Sequence, residues 1–220
     1  MIWIDHSRDF PEGSHSLFSP SQSAWIDYET EEDVFKKYRS SVAAQIGTVV
    51  HKRAEICIDK KVRPTKKTAS QIITMDLLEE NISRTAFDPD FLAANLVNFV
   101  NDALGYGMLP EKPLVYSEWL RGTADAIMYD ETKRILRIHD LKTGVIPAKF
   151  KQLRAYAALF FLEYSTLRHV IPVTPGDVRI ELRIYQNGEV TEEYPTAEDI
   201  VPIMDKIVWI NGVMQSIEKG

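Results

Sequence analysis

Apolar residues recur along the chain first at helical and then at strand spacing. From Glu31 to about Asp59, Val34, Tyr38, Val42, Ile46, Val49, Val50, Ala54 and Ile58 return every three or four positions. This predicts one long amphipathic helix, with Gly47 as its point of interruption. Before it, Phe18-Ser19-Pro20-Ser21-Gln22-Ser23-Ala24-Trp25-Ile26 mixes aromatics with turn formers, and Ser21 is placed to cap a short helix that carries Trp25 inward. After it, the basic run Lys60, Lys61, Arg63, Lys66 and Lys67, broken by Pro64, reads as a connector to helices near 68–83 and 89–105. The period then changes. Short apolar runs at 114–119, 123–129 and 135–141, the last two joined by Asp130-Glu131-Thr132-Lys133, predict a strand meander. A helix follows over about 148–164, residues 178–185 alternate, and Asn187-Gly188 marks a hairpin turn before 189–194. A last amphipathic helix covers about 197–217. This order gives an α/β (α+β) chain, a mixed central β-sheet flanked by helices. The expectation is a single domain over 1–220, with 1–110 mainly helical and 111–220 supplying the sheet and its covering helices.

Composition narrows the classes. With 220 residues, 45% hydrophobic and 26% charged, and only 10 Gly and 11 Pro, the chain is neither collagen-like, low-complexity nor wholly disordered. The single cysteine, Cys57, cannot form an internal disulfide, a multi-cysteine zinc site or an iron–sulfur cluster, and reads as a small buried residue. Lys and Arg number 26 against 32 Asp and Glu, a net charge of -6. That balance argues against a protein held on nucleic acid by bulk positive charge and leaves a local basic track, of which 60–67 is the densest. No stretch approaches the ~20 apolar residues of a membrane span, and Met1–Phe10 holds Asp5, His6, Arg8 and Asp9, unlike a signal peptide. The expectation is a soluble, cytoplasmic protein with no membrane partner.

The chemistry concentrates in Gly122-Thr123-Ala124-Asp125 and Asp140-Leu141-Lys142-Thr143-Gly144. A turn centred between Thr132 and Lys133 sets Asp125 opposite Asp140, with Cβ atoms roughly 4.5–5.5 Å apart. Alternation puts Lys142 on the face of Asp140 and His139 on the other. Two carboxylates this close repel, and a divalent cation resolves the conflict. Hard oxygen ligands suit magnesium or manganese, and a lysine beside such an ion can orient or deprotonate an attacking water. The set suits phosphodiester hydrolysis.

Asp125, then Asp140-Leu141-Lys142, then Gln152-Leu153-Arg154-Ala155-Tyr156 resembles the PD-(D/E)XK nuclease superfamily, whose signature is an acid, an acid-x-Lys and often a Gln-xxx-Tyr helix. Gly47-Thr48-Val49-Val50-His51-Lys52-Arg53-Ala54-Glu55 is similar to the Gly-xxx-His-xxx-Glu motif of the branch holding RecB-type nuclease domains, CRISPR-associated RecB-like nucleases and phage exonucleases. Ser19-Pro20-Ser21-Gln22-Ser23-Ala24-Trp25 resembles that branch's N-terminal opening, which in several members leads into a cluster cysteine. Tyr28 and its neighbours offer none, which excludes the iron–sulfur subgroup. The resemblance, in patches over 17–160, implies a restriction-endonuclease-like core with N-terminal helical additions. It implies His51, Asp125 and Asp140 as ligands of one or two Mg2+ (or Mn2+) ions, with the Leu141 backbone carbonyl as a fourth. It gives Lys142 the water, and gives Gln152 and Tyr156 contact with that water, the lysine or the phosphate backbone. Glu55, one turn from His51, would order an outer-shell water or orient neighbouring groups. Arg121, Arg154, Lys60, Lys61, Arg63, Lys66 and Lys67 are the candidate DNA contacts. The implied activity is a metal-dependent DNA exonuclease of phage recombination or bacterial repair, in a bacterial or phage-infected cell. Alternatives are a structure-specific or restriction-like endonuclease on the same site, and a non-catalytic DNA-binding or assembly protein that keeps the fold. Partners on this reading are DNA, further copies of the chain as a homo-oligomer, and a single-strand-annealing or repair protein.

Overall fold

In a computed structural model, residues 16–166 and 173–219 are described. Met1–Phe10, on which the expectation about a signal peptide rests, lies outside them. The long helix α1 (Glu31–Asp59) forms where the apolar spacing predicts it and runs through Gly47 unbroken. The short helix before it is of the 3-10 type, Pro20–Asp27. Ser21 therefore lies inside it rather than capping it, because Pro20, with fixed φ and no N–H, takes the first position. Trp25 is half-buried and donates its indole N–H to the Ser19 carbonyl at 3.0 Å.

Local signals set the next two helices. Helix α2 (Lys66–Glu79) starts at a reciprocal cap: Thr65 Oγ1 accepts the Thr68 N–H at 3.2 Å, and Thr68 Oγ1 accepts the Thr65 N–H at 2.9 Å. Helix α3 (Pro89–Tyr106) starts at Asp88, which takes the N–H groups of Asp90 and Phe91, and ends at Gly107 with φ 65. A bidentate pair, Arg53 with Asp76 at 2.7 and 2.6 Å, ties α1 to α2. Among the described residues no helix is long and apolar enough to cross a membrane.

Five strands form one mixed sheet in sequence order: β1 (Leu109–Val115), β2 (Arg121–Asp130), β3 (Ile135–Leu141), β4 (Arg179–Gln186) and β5 (Glu189–Glu193). The first three make the expected antiparallel meander. Strand β4 runs parallel to β3 after the crossover helix α4 (Lys151–Thr166), and β5 returns through Asn187 (φ 56) and Gly188 (φ 75), the positive-φ pair of a tight hairpin. Helix α5 (Ala197–Lys219) follows. The first strand is displaced from its expected position at 114–119, since Ser117 to Leu120 make a turn. Pro110 and Pro113 concealed it, and they are tolerated because β1 is an edge strand.

Alternation divides the sheet. Leu136 and Ile138 of β3 with Ile180, Leu182 and Ile184 of β4 share a core with Leu153, Ala157 and Phe161 of α4 and Ile200 and Ile207 of α5. Each large side chain buried this fully stabilises the fold by about 1.5–3 kcal/mol. The opposite face meets α3: the Tyr185 hydroxyl donates to Asp102 at 2.7 Å and lies 3.0 Å from His139 Nδ1, and Arg183 donates to Asp102 at 2.8 Å. Burial, reinforced by the charges of Arg183 and Arg137, pushes His139 down to about 3, so the ring is neutral and faces away from Asp140. The described residues fall into two compact units that meet between Gln45 and Ile46, and every predicted catalytic and metal-binding residue lies in the second.

Asn95 is 1% exposed in the apolar face of α3. Its Nδ2 donates to the Lys142 carbonyl at 3.0 Å and its Oδ1 accepts the Gly188 N–H at 2.6 Å. Asn95→Ala leaves both backbone groups without that partner, and urea unfolding is expected to show a loss of about 2 kcal/mol. An unchanged midpoint would mean that the two groups are satisfied in another way.

Candidate metal centre

The strand register assembles the site. Pairing of Pro110 with Ala126 and Lys112 with Ala124 places Glu111 opposite Asp125. Pairing of Ala126 with His139, carried one residue further, places Asp125 opposite Asp140, as the turn geometry predicts. Three carboxylates thus stand in one row across three adjacent strands. Regular backbone pairing gives way at this row. Glu111 has φ 44, a left-handed conformation that costs a non-glycine residue about 1–3 kcal/mol. The Leu141 N–H donates to the Asp125 side chain, Oδ2, at 2.8 Å.

Helix α1 delivers His51 to this row. Its Nδ1 lies 3.5 Å from Asp125 Oδ1 and 3.8 Å from Glu111 Oε1. One donor atom from each of His51, Glu111 and Asp125 falls within 4.8 Å of the others, a half-buried cluster compatible with a divalent metal. Burial works against the charged imidazole, but hydrogen bonds and charge from Asp125 and Glu111 outweigh it and push His51 up to about 10. The protonated ring here takes the place of the cation that the two carboxylates call for.

Asp140 is the deeper acid, its side chain only 2% exposed. Burial first, then the Asp125 charge, pushes its carboxyl up to about 6, and Lys142 restrains the shift. Lys142 Nζ lies 3.0 Å from Asp140 Oδ1, to which it donates, and 2.9 Å from Oδ2. It also donates to Gln152 Oε1 at 3.1 Å, and Gln152 Nε2 donates to the Tyr156 hydroxyl at 3.0 Å. Residues 152 and 156 are one turn apart on α4, so a continuous line runs Asp140–Lys142–Gln152–Tyr156. The Tyr156 ring lies over Gly122: a Cβ there would fall 2.8 Å from Tyr156 Cε1.

The other candidates fall elsewhere. Glu55 pairs with Lys52 at 2.6 Å and is not part of the His51 cluster. Leu141, whose carbonyl is the fourth expected ligand, has a fully buried side chain, and its N–H donates to Asp125. Arg154 holds Glu193 at 2.7 and 3.0 Å and lies 3.4 Å from Asp199, fastening α4 to β5 and α5. Arg121, at the start of β2, is exposed, as are Lys60, Lys61, Arg63, Lys66 and Lys67; Arg63 donates to the Asn101 carbonyl at 2.9 Å. Sequence reasoning missed Glu111 and Asn95. An acid on the strand before Asp125 is a signal for the first once the strand is recognised, and a polar residue inside an apolar helix stripe is a signal for the second.

Two measurements check this geometry. The raised value of His51 means that, without metal, the charged ring stabilises the fold below pH 6.5, and this gain is lost as pH rises toward 10. A cation must displace that proton, so calorimetric titration of Mn2+ near neutral pH in buffers of different ionisation enthalpy should count about one proton released per ion, with affinity rising with pH. A count of zero would remove His51 from the site. Gly122→Ala should cost about 1–3 kcal/mol alone and almost nothing in a Tyr156→Ala background, since the strain is the contact between the two. Equal costs in both backgrounds would show that Tyr156 does not press on Gly122.

Against known proteins, no family model and no curated protein matches the chain.

Proposed function

We propose that the protein is a metal-dependent DNA nuclease of the restriction-endonuclease-like kind, acting as an exonuclease. The observation that carries this reading is the row Glu111–Asp125–Asp140 with His51 at one end and Lys142 on the deep acid at the other. Carboxylate repulsion stored beside a fixed ammonium serves no packing purpose that apolar residues would not serve better.

His51, Glu111 and Asp125 would hold a divalent cation with Asp140 beside them. The carboxylates suit Mg2+ or Mn2+, and the imidazole nitrogen is better matched to manganese. When bound, the cation would supply positive charge against the phosphoryl oxygens and lower the pKa of water. The protein's own groups do the rest. Lys142, restrained by Asp140 and Gln152, presents its ammonium at a fixed position to orient the attacking water and meet charge developing on the phosphate. Tyr156 steadies Gln152 and through it the lysine. The water oxygen forms a bond to phosphorus and gives up a proton to solvent, the bond to the 3′ oxygen breaks, and that oxygen takes a proton from solvent, leaving a 3′ hydroxyl and a 5′ phosphate.

The protein should be incubated with and without Mg2+ or Mn2+ on linear DNA labelled at either end and on the same DNA as a closed circle. Metal-dependent loss of the linear form alone is expected, with the order of label release giving polarity. Cutting of the circle would move the reading to an endonuclease. Asp140→Ala and Lys142→Ala should each lower cleavage by about 100-fold or more with an unchanged circular dichroism spectrum. Cleavage that survives both substitutions would refute the site.

A further inference from the structure

Beside this site, the segment 142–150 between β3 and α4 carries the two most exposed large hydrophobic residues among those described, Val145 at 70% and Ile146 at 83%. The segment is fastened rather than loose. Gln186, the last residue of β4, commits its whole side-chain amide to it: Nε2 donates to the carbonyls of Gly144 at 2.5 Å and Ile146 at 2.8 Å, and Oε1 accepts the Ala148 N–H at 3.0 Å. Pro147 narrows the backbone further. All three bonds go to backbone, so they fix where the aliphatic side chains stand without using them. Water is the least favourable surrounding for two such side chains, and a loop free to move could fold them under.

Along the chain, the charge between the site acid Asp140 and Glu163 is one-sided. From Leu141 to Leu162 the chain contains Lys142, Lys149, Lys151 and Arg154 and no Asp or Glu, although the whole protein carries -6. Arg154 is held by Glu193, whereas Lys149 and Lys151 are exposed. An apolar tip with cationic shoulders, three residues from the lysine of the site, complements the end of a nucleic-acid duplex. There an apolar base face is flanked by phosphates, and aliphatic wedges are the side chains that part base steps.

We propose that Val145 and Ile146 form a wedge that packs against and unstacks the terminal base pair of a DNA duplex, with Lys149 and Lys151 on the flanking phosphates. This rests on the nuclease reading of the neighbouring site. The wedge sets the substrate class, a paired end opened one step at a time as the freed strand reaches the row of acids.

The test uses the full chain and a duplex with 2-aminopurine in its last pair, first in chelator so that nothing is cut. Binding should raise the fluorescence of the terminal probe by about threefold or more and leave an internal probe unchanged. The double variant Val145→Ser/Ile146→Ser should bind the duplex, read by anisotropy, yet leave the terminal probe dark. With metal it should digest a blunt duplex about tenfold more slowly than the unsubstituted protein, and a duplex with a forked, unpaired end at nearly the same rate. A terminal probe that stays dark with the unsubstituted protein bound, or that brightens equally with the variant, overturns the wedge and leaves the nuclease reading standing. Brightening without cleavage of any DNA, with either metal, overturns the nuclease reading and leaves the wedge as an end-binding device. Loss in the variant of binding to anionic lipid vesicles, with DNA ends left stacked, would assign the tip to a membrane and refute the proposal.

Discussion

Mutual repulsion among three carboxylates in one sheet row is the constraint around which this fold is arranged. Glu111, Asp125 and Asp140 stand side by side because β1, β2 and β3 pair in a fixed register. Each acid is then stabilised differently. Asp125 accepts a backbone N–H, Glu111 and Asp125 share His51 and hold its pKa above the usual imidazole range, and Asp140 holds the lysine two residues on. The carboxyl of Asp140 is held above its ordinary range by burial and by its neighbour, which is the expected result when a charge is placed where packing alone would not put one.

Support for the row comes from both faces of the sheet. On one, α4 supplies Gln152 and Tyr156 at helical spacing, and Gly122 leaves the room that the tyrosine ring needs. On the other, α3 contributes Asn95, which fastens the carbonyl of Lys142 to the turn of the last hairpin. The lysine is therefore fixed at its ammonium and at its own backbone by two helices on opposite sides of the sheet.

Much of this was legible in the sequence because it depends on local periodicity and on one short turn. The helices, the meander, the hairpin at Asn187-Gly188, the facing of Asp125 and Asp140 and the separation of His139 from Asp140 all follow from spacing. What was not legible depends on contacts between distant segments. Glu111 was hidden because Pro110 and Pro113 disguise a strand that only its edge position permits. The partners of Arg154, Glu193 and Asp199, lie some forty residues away along the chain and leave no local signal.

Those same prolines bear on how the molecule keeps company with itself. An edge strand offers a row of unpaired N–H groups to any other strand in solution. Along β1 that offer is withdrawn almost residue by residue: Pro110 and Pro113 have no donor, Glu111 is turned out of extended conformation, and the Val115 N–H is taken by Glu163 at 2.9 Å. The strand that carries an acid of the site is thus a poor template for a neighbouring chain. The distortion that sets Glu111 beside Asp125 also guards the sheet against aggregating along its β1 edge.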